Sequence, residues 1–580
     1  AGTGGTVTTG TGSAAGYTLQ TFRSGGTLAL NALAATFTGN ITGTGSLTAN
    51  PASGGKFTFT GDNSYGSTTL SKGTLQVGTG GLAGSLGALS AAVINNGSLI
   101  FNRSDTLTYT GAFSGTGSLT VATGGLNLNG GATYSGATVL SADAAAPTSI
   151  AYNFNVPPTT SGFSGTGAVT IAPAASSSFT SAFTPNYTFA STLTGLTLGS
   201  ATNTANITLG SAISIAGPIT VDAGQVSFGS NLTTTAANSD ITIRAKTNII
   251  NTALTTLTTA GSNILLASNV DDATDNDSTT NGYIRLSSGL VATSNGGNIT
   301  LGGGNLTGTS YAMGSSNAAY TEGIRIDGRT NITSGGGNIS MQGKSYAAAV
   351  AGGTGASGLG FYHHTQGGVI DSGTGKIYLE GYSQTSGSGY SSGFVLYNIP
   401  SFTIKSANTT ADAIQIIGTA TGTSGQAWGL ESEINSFAVL ATGLGGGITI
   451  KTSQKRSGDN YDAVFRGTTD ILAKSGPINL LGRQGDGIAD GFWFIASTFN
   501  LGSKLGSADV PTSSSDITIK YDNYNFSNLN PSFATTGKIV WAPTDQTGKF
   551  SQTAAPSWFA WNQNSQTASG ITIGSVTNTS

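Results

Sequence analysis

The five residues GNISM, Gly337 to Met341, decide how this chain is read. Ile339 and Met341 alternate with Asn338 and Ser340. That is the two-residue period of a strand with one buried face. The phrase returns on both sides, as GNITL from Gly297, GKIYL from Gly375, AIQII from Ala413, GITIK from Gly447, PINLL from Pro477 and DITIK from Asp516. The first isoleucines, Ile299, Ile339, Ile377, Ile414, Ile448, Ile478 and Ile517, follow at intervals of 40, 38, 37, 34, 30 and 39 residues. Further short strands lie between them, often two: GIRID with TNIT, GFVLYNI with FTIK, AVFRG with DILA. Three strands per interval make one coil of a three-faced parallel β-solenoid. Helical periodicity over eleven or more residues is not found, so an all-β chain with almost no α-helix is expected.

The physics of such a coil explains the alphabet. One coil cannot bury its own inward face, so it stacks on the next at about 4.8 Å. Inward positions take Ile, Leu, Val and Phe, and outward ones Thr, Ser and Asn. Glycine serves corners that exclude a Cβ, and asparagine tolerates them. About 25–40 residues per coil predicts about 15–23 coils and a rod of about 70–110 Å.

Composition agrees. The 580 residues include 89 Gly, 13 Pro and no Cys, and charged residues make up 8%, against roughly 25% in an average soluble protein. The glycines follow no three-residue period, which excludes collagen. Hydrophobic residues at 37% with a net charge of −3 exclude disorder, which needs little apolar content and much charge. The weak charge argues against a nucleic-acid partner. No run reaches the length of a membrane-spanning helix. The absence of Cys removes disulfide and thiol chemistry and is compatible with secretion.

The N-terminal half repeats other phrases. TGTGSLT (Thr42 to Thr48) returns as SGTGSLT (Ser114 to Thr120) and SGTGAVT (Ser164 to Thr170) after 72 and 50 residues. GDNSYGSTTLSKGTLQVG returns as GGATYSGATVLSADAAA, placing Tyr65 and Tyr134 69 residues apart. The stretch FTFTGDNSYGSTTLSKGTLQVG resembles the autotransporter-associated β-strand repeat through Phe59, Gly61, Asn63, Tyr65, Gly66, Thr68, Gly73, Thr74, Leu75, Val77 and Gly78. Its Tyr–Gly spacing is one residue shorter than the usual pattern, and the copy around Tyr134 and Gly136 lacks the Gly-Thr-Leu ending. The phrases GGNITL and GGGNISM resemble the repeats of filamentous-haemagglutinin-type exoproteins. Together the resemblances cover most of residues 40–545. They imply a right-handed parallel β-helix, extracellular or on a bacterial outer surface, serving as adhesin, stalk or fibre.

The expected organisation is a solenoid start or cap over 1–40, an autotransporter-associated repeat solenoid over 41–150, irregular coils over 151–240, a haemagglutinin-like solenoid over 241–545 and an aromatic-rich cap or assembly segment over 546–580. Coils between Asp143 and Asn238 cannot be phased from sequence. The opening AGTGGTVTTG reads as a processed or cut end, and no series of barrel strands closes the chain. The chain is therefore read as the passenger part of something longer, or as a subunit exported by another route.

Candidate sites are few. Asp486 and Asp490 in GDGIADGFW, beside Trp493, suit a sugar cleft, but turn aspartates are the preferred reading. His363 and His364 fall on opposite faces if they lie on a strand, and an exposed pair is preferred over a catalytic or metal site. Asp271, Asp272, Asp275 and Asp277 are the candidate Ca²⁺ ligands. Their spacing lacks the Gly and Glu of an EF-hand, so a solvated loop is preferred. The run KTSQKRSGD, Lys451 to Asp459, reads as a solvated basic corner. Trp541, Trp558, Phe559 and Trp561 are the candidate assembly interface, against a cap over the last coil. An uncapped solenoid end is an open sheet edge, and an end-to-start contact would propagate as a filament.

The function expected is an extracellular structural solenoid, a surface fibre or adhesin stalk, with no catalytic residues and no cofactor. Its partners would be further copies of itself, head to tail, and cell-surface or matrix glycans. One alternative is a glycan-binding adhesin using the loops around Tyr311–Tyr320 and Tyr382–Tyr390. Another is a polysaccharide-degrading enzyme, which needs carboxylates clustered in one groove. The sequence does not visibly supply them.

Overall fold

The computed structural model describes residues 3–9, 18–30, 34–51, 54–141, 148–271, 282–317, 319–346, 356–363, 365–384, 391–421, 427–454, 461–482, 491–495, 498–521, 523–526, 531–543 and 568–574. Among them the regular elements are strands, and none is an α-helix. The opening pair, Thr3–Thr9 with Thr18–Leu30, is antiparallel. From the end of its second strand onward the ladders between strands are parallel. The chain divides into two compact units, residues 1–223 with 234–236 and residues 224–233 with 237–580. Each is built as a parallel β-helix.

In the second unit the isoleucines that paced the sequence lie in one row. Ile241, Ile264, Ile299, Ile339, Ile377, Ile414, Ile448, Ile478, Ile517 and Ile539 are successive register partners. Each is at most 1% exposed. Burying such a side chain contributes about 1.5–3 kcal/mol, and the stacking repeats the gain in every coil. A second row runs Ile249, Ile284, Ile324, Leu359, Phe394, Leu430, Ala463, Phe492. A third runs Leu257, Ala292, Ile332, Ile370, Ile404, Val439, Ile471, Leu501. Three strands per coil are thus present. One expected pair differs: AVFRG and DILA form a single strand, Ala463–Ala473, bent at Gly467 with φ of 73°. The bend sits beside a register shift between Glu433 and Ser436 on the neighbouring strand.

Polar side chains stack as regularly as apolar ones. Thr259, Ser294, Ser334 and Ser372 are buried, and each hydroxyl donates to the carbonyl three residues on in its own coil. For the first three, the equivalent carbonyl of the next coil lies 3.0–3.2 Å away. On the outside, the N–H groups of Asn263, Asn298, Asn338 and Lys376 donate at 2.8–2.9 Å to the side-chain oxygens of Asp240, Asn263, Asn298 and Asn338, one coil earlier. Corner groups are therefore satisfied by Ser, Thr and Asn. This is why so few charges suffice.

The first unit keeps three rows but shortens the coil. One row is Leu47, Thr68, Val93, Phe113. Another is Phe57, Leu75, Leu99, Leu119, Thr138, Phe163. The third is Leu107, Leu126, Ile150, Val169, Leu196, Ile219. Partners are 18 to 27 residues apart, so the expected coil length of about 25–40 residues is too long here. The cause is fusion of strands. Ser98–Tyr109 and Ser118–Leu128 each supply two rows from one continuous strand. The third row also phases the region that sequence could not, through Ser149, Ala168 and Gly195.

The repeat motif of the first unit has structural work to do. Phe57, Phe59, Leu75 and Val77 are buried. The Asn63 carbonyl oxygen accepts the Ile41 N–H at 2.8 Å, and its amide donates to the Ser85 carbonyl. The Thr68 hydroxyl donates to the buried Tyr65 hydroxyl at 3.0 Å. In the copy, Tyr134 meets Thr138 at 2.7 Å, one residue further along than in the pair Tyr65 and Thr68.

Candidate functional site

Within the second unit, two glycine rows determine where side chains can go. Gly343, Gly381 and Gly418 are register partners on one sheet. They face Gly358, Gly393 and Gly429 on the next. A Cβ at Gly381 would collide with the Gly393 carbonyl, and one at Gly418 with the Gly429 carbonyl. The two sheets are pinched backbone to backbone at this end of the coil.

Just beyond the pinch lies a groove of about 520 Å³, within the range of about 300–1,000 Å³ usual for small-ligand sites. Strand alternation assembles it. Along the second row the inward residues alternate with Arg325, Gly360, Val395, Glu431 and Val464, ending at Trp493. Two positions on, the residues are Asp327, Tyr362, Tyr397, Glu433 and Arg466. Glu322, Ser357, Ser392 and Trp428, from the strand starts, complete the lining.

Charges at one end are closely matched. Arg325 Nη1 is 2.6 Å from Glu322 Oε1, and its Nη2 is 3.0 Å from Asp327 Oδ1. Arg285, one coil earlier, approaches Asp327 at 3.5 Å and Glu322 at 3.9 Å. The Arg325 guanidinium stands 4.1 Å over the Tyr362 ring, a cation–π contact. Burial alone would lower the Arg325 pKa, but Asp327 and Glu322 outweigh it and hold it above the ordinary arginine value. Burial also pushes the Tyr362 phenol up. That hydroxyl donates to Ser357 at 2.9 Å.

The other end holds a carboxyl of different character. Glu433 pairs with Arg466 Nε at 2.8 Å. Glu431, two residues away and only 6% exposed, accepts a hydrogen bond from the Ser392 hydroxyl. Burial pushes its pKa up to about 7. The Ser392 bond and Arg466 oppose the rise, and Glu433 adds to it. The group is therefore about half protonated at neutral pH. Beside it, Trp493 stacks on Tyr461 with centroids 5.4 Å apart.

The structure places the sequence candidates unevenly. His363 is not on a strand. It follows Leu359–Tyr362 with φ of 52°, lines the groove, and sits edge-on to Tyr397 at 5.7 Å. His364, Asp486 and Asp490 lie outside the described residues, whereas Trp493 belongs to the groove. Asp271 pairs with Lys246 at 3.5 Å; Asp272, Asp275 and Asp277 lie outside the described residues. Trp541 is 4% exposed, within Lys538–Ala542, which pairs with strands on both sides. Trp558, Phe559 and Trp561 lie outside the described residues. Of the loop tyrosines, Tyr320 stacks on Tyr283 at 4.9 Å, and Arg285 lies 5.4 Å over its ring. Tyr311 lies 6.5 Å from Tyr382. Tyr390 is outside the described residues.

One expectation is overturned. Carboxylates do gather in a single groove: Glu322, Glu431 and Glu433 line it together. Linear reading missed them because they come from different coils. Aligning the chain on its row isoleucines would have stacked Arg285 over Arg325, and Tyr362 over Tyr397, Glu433 and Arg466.

Fold and groove define the class: a parallel β-solenoid with an aromatic, charge-matched groove on one face of its second unit. Among known proteins, a 55-residue stretch of this chain is 53% identical to the adhesin BmaC autotransporter of Brucella suis biovar 1 (strain 1330). That stretch is 10% of this chain and 2% of the adhesin. No described protein family matches the chain, and no solved structure matches it.

Proposed function

We propose that this chain is part of an extracellular bacterial adhesin, a solenoid stalk displayed on or released from the outer surface. The observation that carries the reading is the 53% identity to an autotransporter adhesin, joined to a fold of parallel strands throughout its coils. Antibody labelling of intact producing cells tests it. Labelling without permeabilisation is expected; signal only after lysis would sink the reading. Electron microscopy and light scattering on the purified chain would separate a self-assembling fibre from a monomeric stalk.

A second reading has an observation of its own. Glu431 and Glu433 lie two residues apart in one groove, one about half protonated at neutral pH and the other paired with Arg466. A general acid and a base are what glycoside hydrolysis requires. Release of reducing ends from polysaccharide would establish it.

A further inference from the structure

We infer that the groove of the second unit binds a neutral oligosaccharide, built of uncharged hexose units, in preference to an acidic one. This deepens the adhesin reading, but it rests on the groove itself.

The argument starts from charge. The guanidinium groups of Arg325 and Arg466 are already engaged by Glu322, Asp327 and Glu433. A uronate or sulfated sugar would have to draw one of them away. That would leave a buried carboxylate such as Glu322 without its counter-charge, which is strongly unfavourable. The groove therefore lacks the unsatisfied positive charge an anionic ligand needs.

What it offers is suited to hydroxyl groups and to the flat C–H faces of pyranose rings. The Glu431 carboxyl has one hydrogen bond among the described residues, from Ser392. Its second oxygen remains for a ligand. When protonated it donates, and when ionised it accepts, so it serves a hydroxyl in either state. The Tyr397 ring is 41% exposed at the groove. Trp493, backed by Tyr461, lines the same space. Aromatic rings with a polar rim supply apolar contact area together with hydrogen-bond partners. Residues of successive coils are offset by about one strand spacing, roughly 4.8 Å. The groove thus presents a row of contacts along the solenoid, which favours a chain of sugars over a single one.

The test uses the purified full chain, with short malto-, cello- and galacto-oligosaccharides as neutral probes and oligogalacturonate as the acidic one. Binding is read by calorimetry and by tryptophan fluorescence. At least one neutral series is expected to bind, with oligogalacturonate at least about tenfold weaker. Tyr397→Ala is expected to weaken that binding about tenfold, with an unchanged circular dichroism spectrum and melting temperature. Glu431→Gln keeps a hydrogen-bonding group and is expected to bind within a few-fold of the parent, whereas Glu431→Ala loses most affinity. Preference for oligogalacturonate overturns the inference. So does the absence of binding to every neutral probe, or neutral binding that survives Tyr397→Ala and Glu431→Ala unchanged. Because the measurement is made on purified protein, a chain that binds but is not displayed on cells sinks only the adhesin reading. A displayed chain with an inert groove sinks only this inference.

Discussion

The two units solve the same packing problem with different amounts of chain. Both stack three rows of buried residues. The first does so with partners 18 to 27 residues apart, while several coils of the second take 30 to 40. The extra length does not enlarge the rows. It goes into corners and strand extensions, and these carry the charge. In the first unit Arg103 is held by Asp105 at 2.7 Å, near Asp62. The Arg–carboxylate pairs at the groove all belong to the second. The difference teaches that rows provide stability and are interchangeable, whereas added length provides chemistry and is local.

The sharpest way to break this comparison is at the glycine pinch. Gly381→Val places a branched side chain against the Gly393 backbone. Unfolding in denaturant is expected to show a loss of at least about 3 kcal/mol, or no folded protein. Gly81→Ala in the first unit, where a Cβ meets nothing within 4 Å, is expected to change little. If both are tolerated, the sheets are not pinched.

Next in size are the rows. Ile339→Ala in the second unit and Leu119→Ala in the first each remove a buried side chain. Each is expected to destabilise by about 2–5 kcal/mol. Similar values would support interchangeable rows. A value near zero in either unit would show that its row is not a true core.

Glu431 gives a pH-dependent effect. Its folded pKa, about 7, lies above that of an exposed glutamate, so the folded state holds its proton more tightly. The stability linked to that proton is present below about pH 4 and is lost as pH rises through about 7. The charged groups facing it are Glu433 and Arg466, with Glu322, Arg325, Tyr362 and His363 around the same groove. Glu431→Gln is therefore expected to be more stable than the parent at pH 8, by roughly 1–3 kcal/mol, with the advantage gone near pH 4. A constant difference across pH would contradict the buried, proton-holding carboxyl.

The smallest effect belongs to the hydroxyl column. Ser334→Ala removes the donor to Gly337 and the contact to Ser372, and about 1 kcal/mol is expected. Amide exchange should rise locally at Gly337 and Ile339 without global unfolding.

Much of the second unit was legible because a row demands the same kind of letter at the same phase. Seven isoleucines announced it, and they are register partners. The stretch over 148–223 was not legible because its third row passes through Ser149, Ala168 and Gly195, weak letters beside steps of unequal length. Fused strands such as Ser98–Tyr109 hid a corner where no glycine marks it. The groove was illegible for another reason. Its members are ordinary residues of distant coils, and only register brings Tyr362, Tyr397, Glu433 and Arg466 into one file.

The paired glycines have a consequence for growth. Because the pinch forbids side chains between the sheets, a coil gained by duplication lengthens the groove without deepening it. Each copy would contribute one more outward file at a step of about 4.8 Å. Such a surface is measured out in units of the strand spacing, and its reach along a polymer is set by how many times the coil has been copied.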